Sequence, residues 1–441
     1  MVSLELSILT LNVWGIPLIS ADRAERMQHI GKELASGKYD IVSLQEVWTE
    51  KDSATLQELT KAVLPYVHYF YSGVIGAGLL VLSKYPIVTS LFHSWTVNGY
   101  CHRIQHADWF GGKGVGMCRI RVGDLYVHVY NAHLHAEYNI KNDDYLTHRV
   151  IQAFDTAQFI EATRWDAAVQ ILAGDLNTKP TDICYKVLLY TSQMKDSCNS
   201  DTVTTNECKQ NSYTSKKVLA RNPNGFRIDH IFLRSADKIK TSILEYKLPL
   251  PDRVPGKKFS YSDHEGVQVR LRLQTKQDSD TCSIQHINAC LDGEDADEDT
   301  MRDVKLTPPQ SPVLTNGHSS VVHSEGECPS DEPRLPKSLA IIKEAIELCE
   351  THLKKINTDR IIYFTIAAIL FASLVVMAEF PVPVGYKTVY LLLKLLVFAI
   401  ILFCIFMGSI WNLMERNGTL SGKTSMEIKL QNSQYVNLKR D

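Results

Sequence analysis

The spacing of apolar and polar residues changes character along the chain and divides it into three regions. In the first, "LELSILTLN" (4–12) alternates as a half-buried strand, and "DRAERMQHIGKELAS" (22–36) carries apolar residues at helical spacing. "YDIVSLQE", "GAGLLVLS", "LYVHVYNAH", "AAVQILAGDLN", "FRIDHIFL" and "GVQVRLRL" read as further strands. A long helix is predicted over 143–163, with Leu146, Val150, Ala153, Ala157 and Ile160 on one face. Many strands and a few long helices within 1–273 predict one α/β sandwich or α+β domain.

Beyond it, "DGEDADEDTMRD" is acidic and "TPPQSPVLTNGHSS" is rich in Pro, Ser and Asn. Apolar periodicity is lost over 274–336, too little to offset ordering entropy, so a disordered linker is expected; Thr307 and Ser311, each before proline, are modification candidates within it.

In the third region, Ile361–Ala378 is free of charge and Val389–Trp411 contains only Lys394. Each spans ~30 Å of hydrocarbon as a helix, with Lys394 near enough to one end to snorkel. The expected division is a juxtamembrane helix (337–360), spans at 361–380 and 388–411, and a tail (412–441). Lys343, Lys354, Lys355 and Arg360 precede the spans, and Arg416, Lys423, Lys429, Lys439 and Arg440 follow them. Only Lys387 stands between, so the positive-inside rule predicts a two-helix hairpin with both flanks cytosolic. The sequon at Asn417 then never meets the lumen. The membrane itself stays open between endoplasmic reticulum, another endomembrane and plasma membrane.

Composition narrows the chemistry. The 441 residues carry a net charge of -2 and a pI near 6.7, which disfavours a general nucleic-acid binder. Ten cysteines without a CxxC pair suggest reduced thiols and exclude a zinc ribbon. "MVSLELSILTLNVWG" lacks the charged and apolar regions of a signal peptide and reads as a strand.

The strand ends carry the candidate chemistry. Asn12, Glu46, Asn131 with His133 and His135, Asp175 with Asn177, Asp229, and Asp263 with His264 all sit at or beside the ends of apolar strands. Glu and Asn ligands without Cys suit a hard cation, Mg²⁺ or Mn²⁺, and a histidine with a carboxylate partner suits activation of water. The glycines of "SGVIGAGLL" fit neither a P-loop nor a dinucleotide fingerprint and are expected to allow tight strand packing. These residues alone predict a Mg²⁺-dependent phosphodiesterase tethered to a membrane.

In this order, "LNVWG", "LQEVW", "SGVIGAGLLVLSKYPI", "HLHAEY", "GDLN", "RIDHI" and "SDHE" resemble the DNase-I-like endonuclease/exonuclease/phosphatase superfamily. "DWFGGKGVG" and "NAHLHAEYN", with the two spans, resemble its membrane-bound, Mg²⁺-dependent neutral sphingomyelinases. The resemblance implies a four-layer α/β sandwich over residues 3–273, followed by the hairpin. It further implies hydrolysis of sphingomyelin to ceramide and phosphocholine. Glu46 would be the principal metal ligand with Asn12 beside it, and Asp263 a further ligand or supporting group. Asp175 and Asn177 would hold the phosphate and orient water, and His264 would be the general base fixed by Asp229. His133 would contact the phosphate or assist the leaving group, Lys113 would contact phosphate or headgroup, and His135 has no settled role. Lysophosphatidylcholine and lyso-platelet-activating factor share the headgroup and remain alternative substrates. A nuclease or inositol-phosphate phosphatase would use the same site, and a catalytically dead adaptor is opposed by the intact Glu46, Asp175, Asn177 and His264.

Overall fold

The computed structural model describes residues 3–106, 108–276, 334–382 and 384–438; the expected linker, with Thr307 and Ser311, lies almost wholly outside them. Among the described residues twelve strands form two sheets, with residues Ser3–Asn12 (β1), Ile41–Gln45 (β2), Tyr66–Phe70 (β3), Leu79–Ser83 (β4), Ile87–Ser94 (β5) and Gly114–Val122 (β6). The others are Leu125–His133 (β7), Ala167–Asp175 (β8), Lys195–Asp196 (β9), Asp229–Ser235 (β10), Ile239–Lys247 (β11) and Val267–Thr275 (β12). One sheet runs β11-β12-β1-β2-β4-β3 and the other β5-β6-β7-β8-β10-β9.

The period-2 rule explains how β1 serves two cores. Leu6 and Ile8 face the second sheet, joining Val81, Val129, Ile171, Ile231 and Val269 between the layers. Leu9 and Leu11 point the other way and meet Met27, Ile30 and Leu34 of helix Arg23–Leu34 (α1) and Leu56 of Glu50–Thr60 (α2). Short helices at Asp108–Gly111 (α3) and, later, Lys216–Arg221 (α6) flank the longer Leu146–Ala162 (α4) and Ile183–Ser192 (α5), which cover the second sheet. Helix, sheet, sheet and helix make the expected four-layer sandwich.

Polar residues staple the two sheets near one end. Gln45 Nε2 donates to Asn131 Oδ1 at 2.8 Å, Asn131 Nδ2 to the Leu44 carbonyl at 2.9 Å, and Ser43 Oγ to the Ala173 carbonyl at 3.0 Å. Asn131 is thus absorbed in sheet pairing.

Helix α7 (Arg334–Glu379) runs unbroken through the stretch where a juxtamembrane helix and the first span are expected. At 1.5 Å per residue it is roughly 70 Å long. Its first part docks on the sandwich: Ile342, Ala345 and Cys349 share a core with Val150, Ile151 and Phe154 of α4. Beyond Ile361 its apolar side chains are largely exposed, as are those of α8 (Lys387–Phe406). Both helices are long and apolar enough to cross a membrane. After a π-helical turn at Met407–Trp411, α9 (Asn412–Leu438) returns to the sandwich, with Met426 in the same core as α4. A Cβ on Gly422 would lie 2.8 Å from Ile151 Cγ2, so this approach needs glycine. Helix α4 is therefore buried on more than the single face that its periodicity predicts.

Candidate active site

Sheet pairing brings the polar strand ends to one place. In the first sheet β1 and β2 are parallel and β12 is antiparallel to β1, so Asn12, Glu46 and the Asp263–His264 pair share one edge. In the second, β7 and β8 are parallel and β10 antiparallel, which sets His133 opposite Asp175 and Asp175 opposite Asp229. Two such edges, facing one another, form the site.

Its centre is a buried set of two acids and an imidazole. His264 Nδ1 lies 2.9 Å from Asp229 Oδ2, and its Nε2 is 3.8 Å from Asp175 Oδ2. Ligating atoms of Asp175, Asp229 and His264 all lie within 4.8 Å of one another. Burial disfavours charge on His264, but the carboxylates of Asp229 and Asp175 outweigh it and hold the ring well above the ordinary histidine range. Burial, then repulsion from Asp229, pushes the Asp175 carboxyl up. His133 Nε2 stands 3.6 Å from Asp175 Oδ2. Burial, reinforced by Lys113, depresses His133 so that its ring is neutral.

Beside this set stands a second pair of acids. Burial raises the Glu46 carboxyl and repulsion from Asp263 raises it further; burial also raises Asp263, against the pull of His264 and Arg26. Glu46 adopts a left-handed backbone, φ 60°, and a Cβ on Gly15 would come within 2.2 Å of its carbonyl oxygen. Such a conformation costs about 1 kcal/mol or more and persists only when surroundings impose it. Adjacent acids of raised pKa, with oxygen donors and no thiol, fit a hard divalent cation. Asn12, expected among the ligands, stands between acids. Its Nδ2 donates to Glu46 Oε1 at 3.0 Å and Asp175 Oδ2 at 2.9 Å, while its Oδ1 accepts from Trp14 N at 2.9 Å. It clasps the two acids together.

A cavity of about 720 Å³ opens over Glu46, Lys113 and His133. Lys113 is only 3% exposed and pairs with Asp108 at 2.5 Å. Burial opposes the Asp108 charge, but Lys113 and His135 hold its carboxyl well below the usual range. The cavity rim is apolar, with Ile16, Val74 and Ile75 lining it and Leu18, Ile19 and Tyr71 exposed nearby.

The Endonuclease/Exonuclease/phosphatase family profile matches residues 9–264, the segment that contains every strand end described above. The chain belongs to that family. A Drosophila melanogaster protein designated a neutral sphingomyelinase is 57% identical over 452 residues, covering 98% of this chain and 99% of its own. Human sphingomyelin phosphodiesterase 2 is 37% identical over 61% of this chain and 65% of its own. A mutant beta toxin of Staphylococcus aureus, solved with magnesium ions, aligns over 60% of this chain and 99% of its own, with 18% identity and a TM-score of 0.48.

Within this endonuclease/exonuclease/phosphatase domain, the remaining sequence-singled residues separate by role. Asn177, also left-handed at φ 43°, donates its backbone N–H to Asp175 Oδ1 at 3.0 Å and its Nδ2 to the Leu134 carbonyl at 3.0 Å. His135 is a neighbour of the site: burial lowers it to about 3, its Nε2 is 3.5 Å from Asp108 Oδ2, and its ring stacks on Tyr145. The glycines of "SGVIGAGLL" do not pack strands. The strand begins only at Leu79, and Gly73, Gly76 and Gly78 take positive φ in the loop that walls the cavity. Asp229, read as inside a strand, is the first residue of β10.

Three contributors carried no sequence signal. Asn206 sets its Nδ2 3.0 Å from His264 Nε2. Thr205 Oγ1 accepts the Ile228 and Asp229 N–H groups, each at 3.1 Å. Arg26, on an apparently amphipathic helix, is fully buried and donates to the carbonyls of Val13, Trp14 and Tyr261, tying the Asn12 loop to the Asp263 loop. Only its place three residues into a helix whose apolar face is otherwise plain could have marked it.

Proposed function

We propose that this chain hydrolyses the phosphodiester of sphingomyelin at a membrane, releasing phosphocholine and leaving ceramide in the bilayer. The observation that carries the reading is the Asp229–His264–Asp175 set beside the Glu46–Asp263 pair, at a cavity with an apolar rim. A nuclease would need cationic groups for the phosphate backbone; here Lys113 is already paired with Asp108, and the cavity is lined by Ile16, Val74 and Ile75. An apolar rim suits a substrate drawn from a lipid surface.

In its deprotonated form His264, oriented by Asp229, accepts a proton from water as the water oxygen bonds to phosphorus and the bond to the ceramide oxygen breaks, the departing ceramide oxygen taking a proton from solvent. Asp175 and Asn177 orient the water and the phosphate. His133, neutral and buried, donates a hydrogen bond to a phosphate oxygen, beside the Lys113–Asp108 pair that lines the same cavity. Glu46 and Asp263, with Asn12 bridging Glu46 to Asp175, would hold Mg²⁺, or Mn²⁺ in its place, which would supply polarisation of the phosphoryl group. The two spans cross as a hairpin, the linker over 274–336 and both flanks being cytosolic.

The test is phosphocholine release from sphingomyelin vesicles with and without Mg²⁺, beside lysophosphatidylcholine and plasmid DNA. Mg²⁺-dependent release from sphingomyelin is expected to exceed the other two. Preference for lysophosphatidylcholine would change the substrate, and cleavage of DNA alone would overturn the reading.

A further inference from the structure

Outside the active site, a second cluster joins three helices that lie far apart in sequence. His148 comes from α4, His352 from the docked part of α7, and Glu415 from the start of α9; all three are buried. His352 Nε2 stands 3.0 Å from Glu415 Oε1, and His148 Nε2 is hydrogen-bonded to the same oxygen. Their ligating atoms lie within 4.8 Å of one another, and the two rings meet edge to face with centroids 5.4 Å apart. We infer that His148, His352 and Glu415 form a zinc site that clamps the membrane helices onto the catalytic domain.

The donor set selects the metal. Two imidazole nitrogens and one carboxylate oxygen are a zinc set with a fourth position open, whereas the oxygen donors of the active site suit Mg²⁺. The arrangement also explains why both rings aim the same nitrogen at a single oxygen. Hydrogen bonding alone needs a proton on both Nε2 atoms, whereas a divalent cation satisfies all three groups with both rings neutral. Among the described residues His148 Nδ1 is buried without a hydrogen-bond partner, so the ring's second nitrogen does nothing to fix that tautomer.

The location gives the clamp a purpose. Asn412 Nδ2 donates to the Ile356 carbonyl at 2.7 Å beside it, and Trp411 meets Trp109 of α3 with ring centroids 5.9 Å apart. The helix that carries Asp108 of the cavity wall is therefore in contact with the end of the second span. Fixing α7 and α9 to α4 sets where the cavity sits relative to the spans.

The inference is independent of the phosphodiesterase reading, and its test does not use activity. Full-length protein in detergent, purified without an immobilised-metal column, is analysed for metal content and then stripped and titrated with Zn²⁺. Zinc close to one equivalent per chain is expected, retained in Glu46→Gln and lost in His352→Asn and Glu415→Gln. Zn²⁺, but not Mg²⁺, raises the Tm of the stripped Glu46→Gln protein, whose active-site cation position is disabled, and Co²⁺ gives a visible ligand-field spectrum that His352→Asn abolishes. Should the variants fail to fold, the wild-type titration still decides. A stripped wild type that takes up no stoichiometric Zn²⁺ and shows no Tm change overturns the inference and leaves a hydrogen-bonded triad. Zinc retained in every folded cluster variant also overturns it.

Discussion

His264 directs Nδ1 at Asp229 Oδ2 across 2.9 Å, and the acid is fully buried at the start of β10. The two residues come from opposite sheets, so the pair exists only when the sandwich is closed. His264→Ala is expected to lower kcat by about 10²–10⁴-fold, the usual range for loss of a general base. Asp229→Asn should cost less, because the imidazole remains but loses its orientation. The double variant should be little worse than His264→Ala, since residues acting as one unit are non-additive. Multiplicative losses would show that the pair does not act together and would shift the base to His133.

Glu46 and Asp263 repel one another in a half-buried place, which makes a cation the natural partner of both. EDTA should abolish turnover, and added Mg²⁺ should restore it. Glu46→Gln should remove activity while leaving the Mg²⁺-free protein as stable as wild type or more so, because a disfavoured charge is gone. Phosphocholine release and a thermal melt on the same sample check both halves. Full activity of the variant at limiting Mg²⁺ would exclude Glu46 as a ligand.

Asp155 on α4 makes stability depend on pH. Burial raises its carboxyl from 3.8 to about 6, despite hydrogen bonds from Thr96, and its Oδ2 has no hydrogen-bond partner among the described residues. A folded value above the unfolded one favours the protonated form, so the stability is fully present below about pH 4 and is lost as pH rises through about 6. The loss is on the order of 2 kcal/mol at neutral pH. Asp155→Asn should therefore raise Tm at pH 7.5 and leave it nearly unchanged at pH 4. Equal melting shifts at both pH values would contradict this assignment.

Topology offers a separate check. If the apolar parts of α7 and α8 cross as a hairpin, protease added to sealed microsomes should digest tags at both ends of the chain. Protection of either tag, or a glycan on Asn417, would exclude that arrangement.

Sequence by itself determined the pieces whose signal is local. The strands that end in Asn12, Glu46, His133 and Asp175 were legible because a strand buried against another layer repeats every two residues and stops at a polar group. The long apolar helices over 361–378 and 389–411 were legible because an uninterrupted apolar run of that length is visible whatever surrounds it. The motif order pointed to the family, and so to which strand ends meet. Edge strands were not legible: β5 and β11 are half-exposed, so no buried face imposes a pattern on them. Nor was Asn12's part as a clasp, the loop made by Gly73, Gly76 and Gly78, or Asn206 beside His264, because each depends on which neighbour pairing delivers. Only the tertiary structure set His133, Asp175 and Asp229 side by side, through the register of β7, β8 and β10. It likewise brought Glu415 to His148, 267 residues away. Local periodicity reports which side of an element is buried; it carries no information about what that side is buried against.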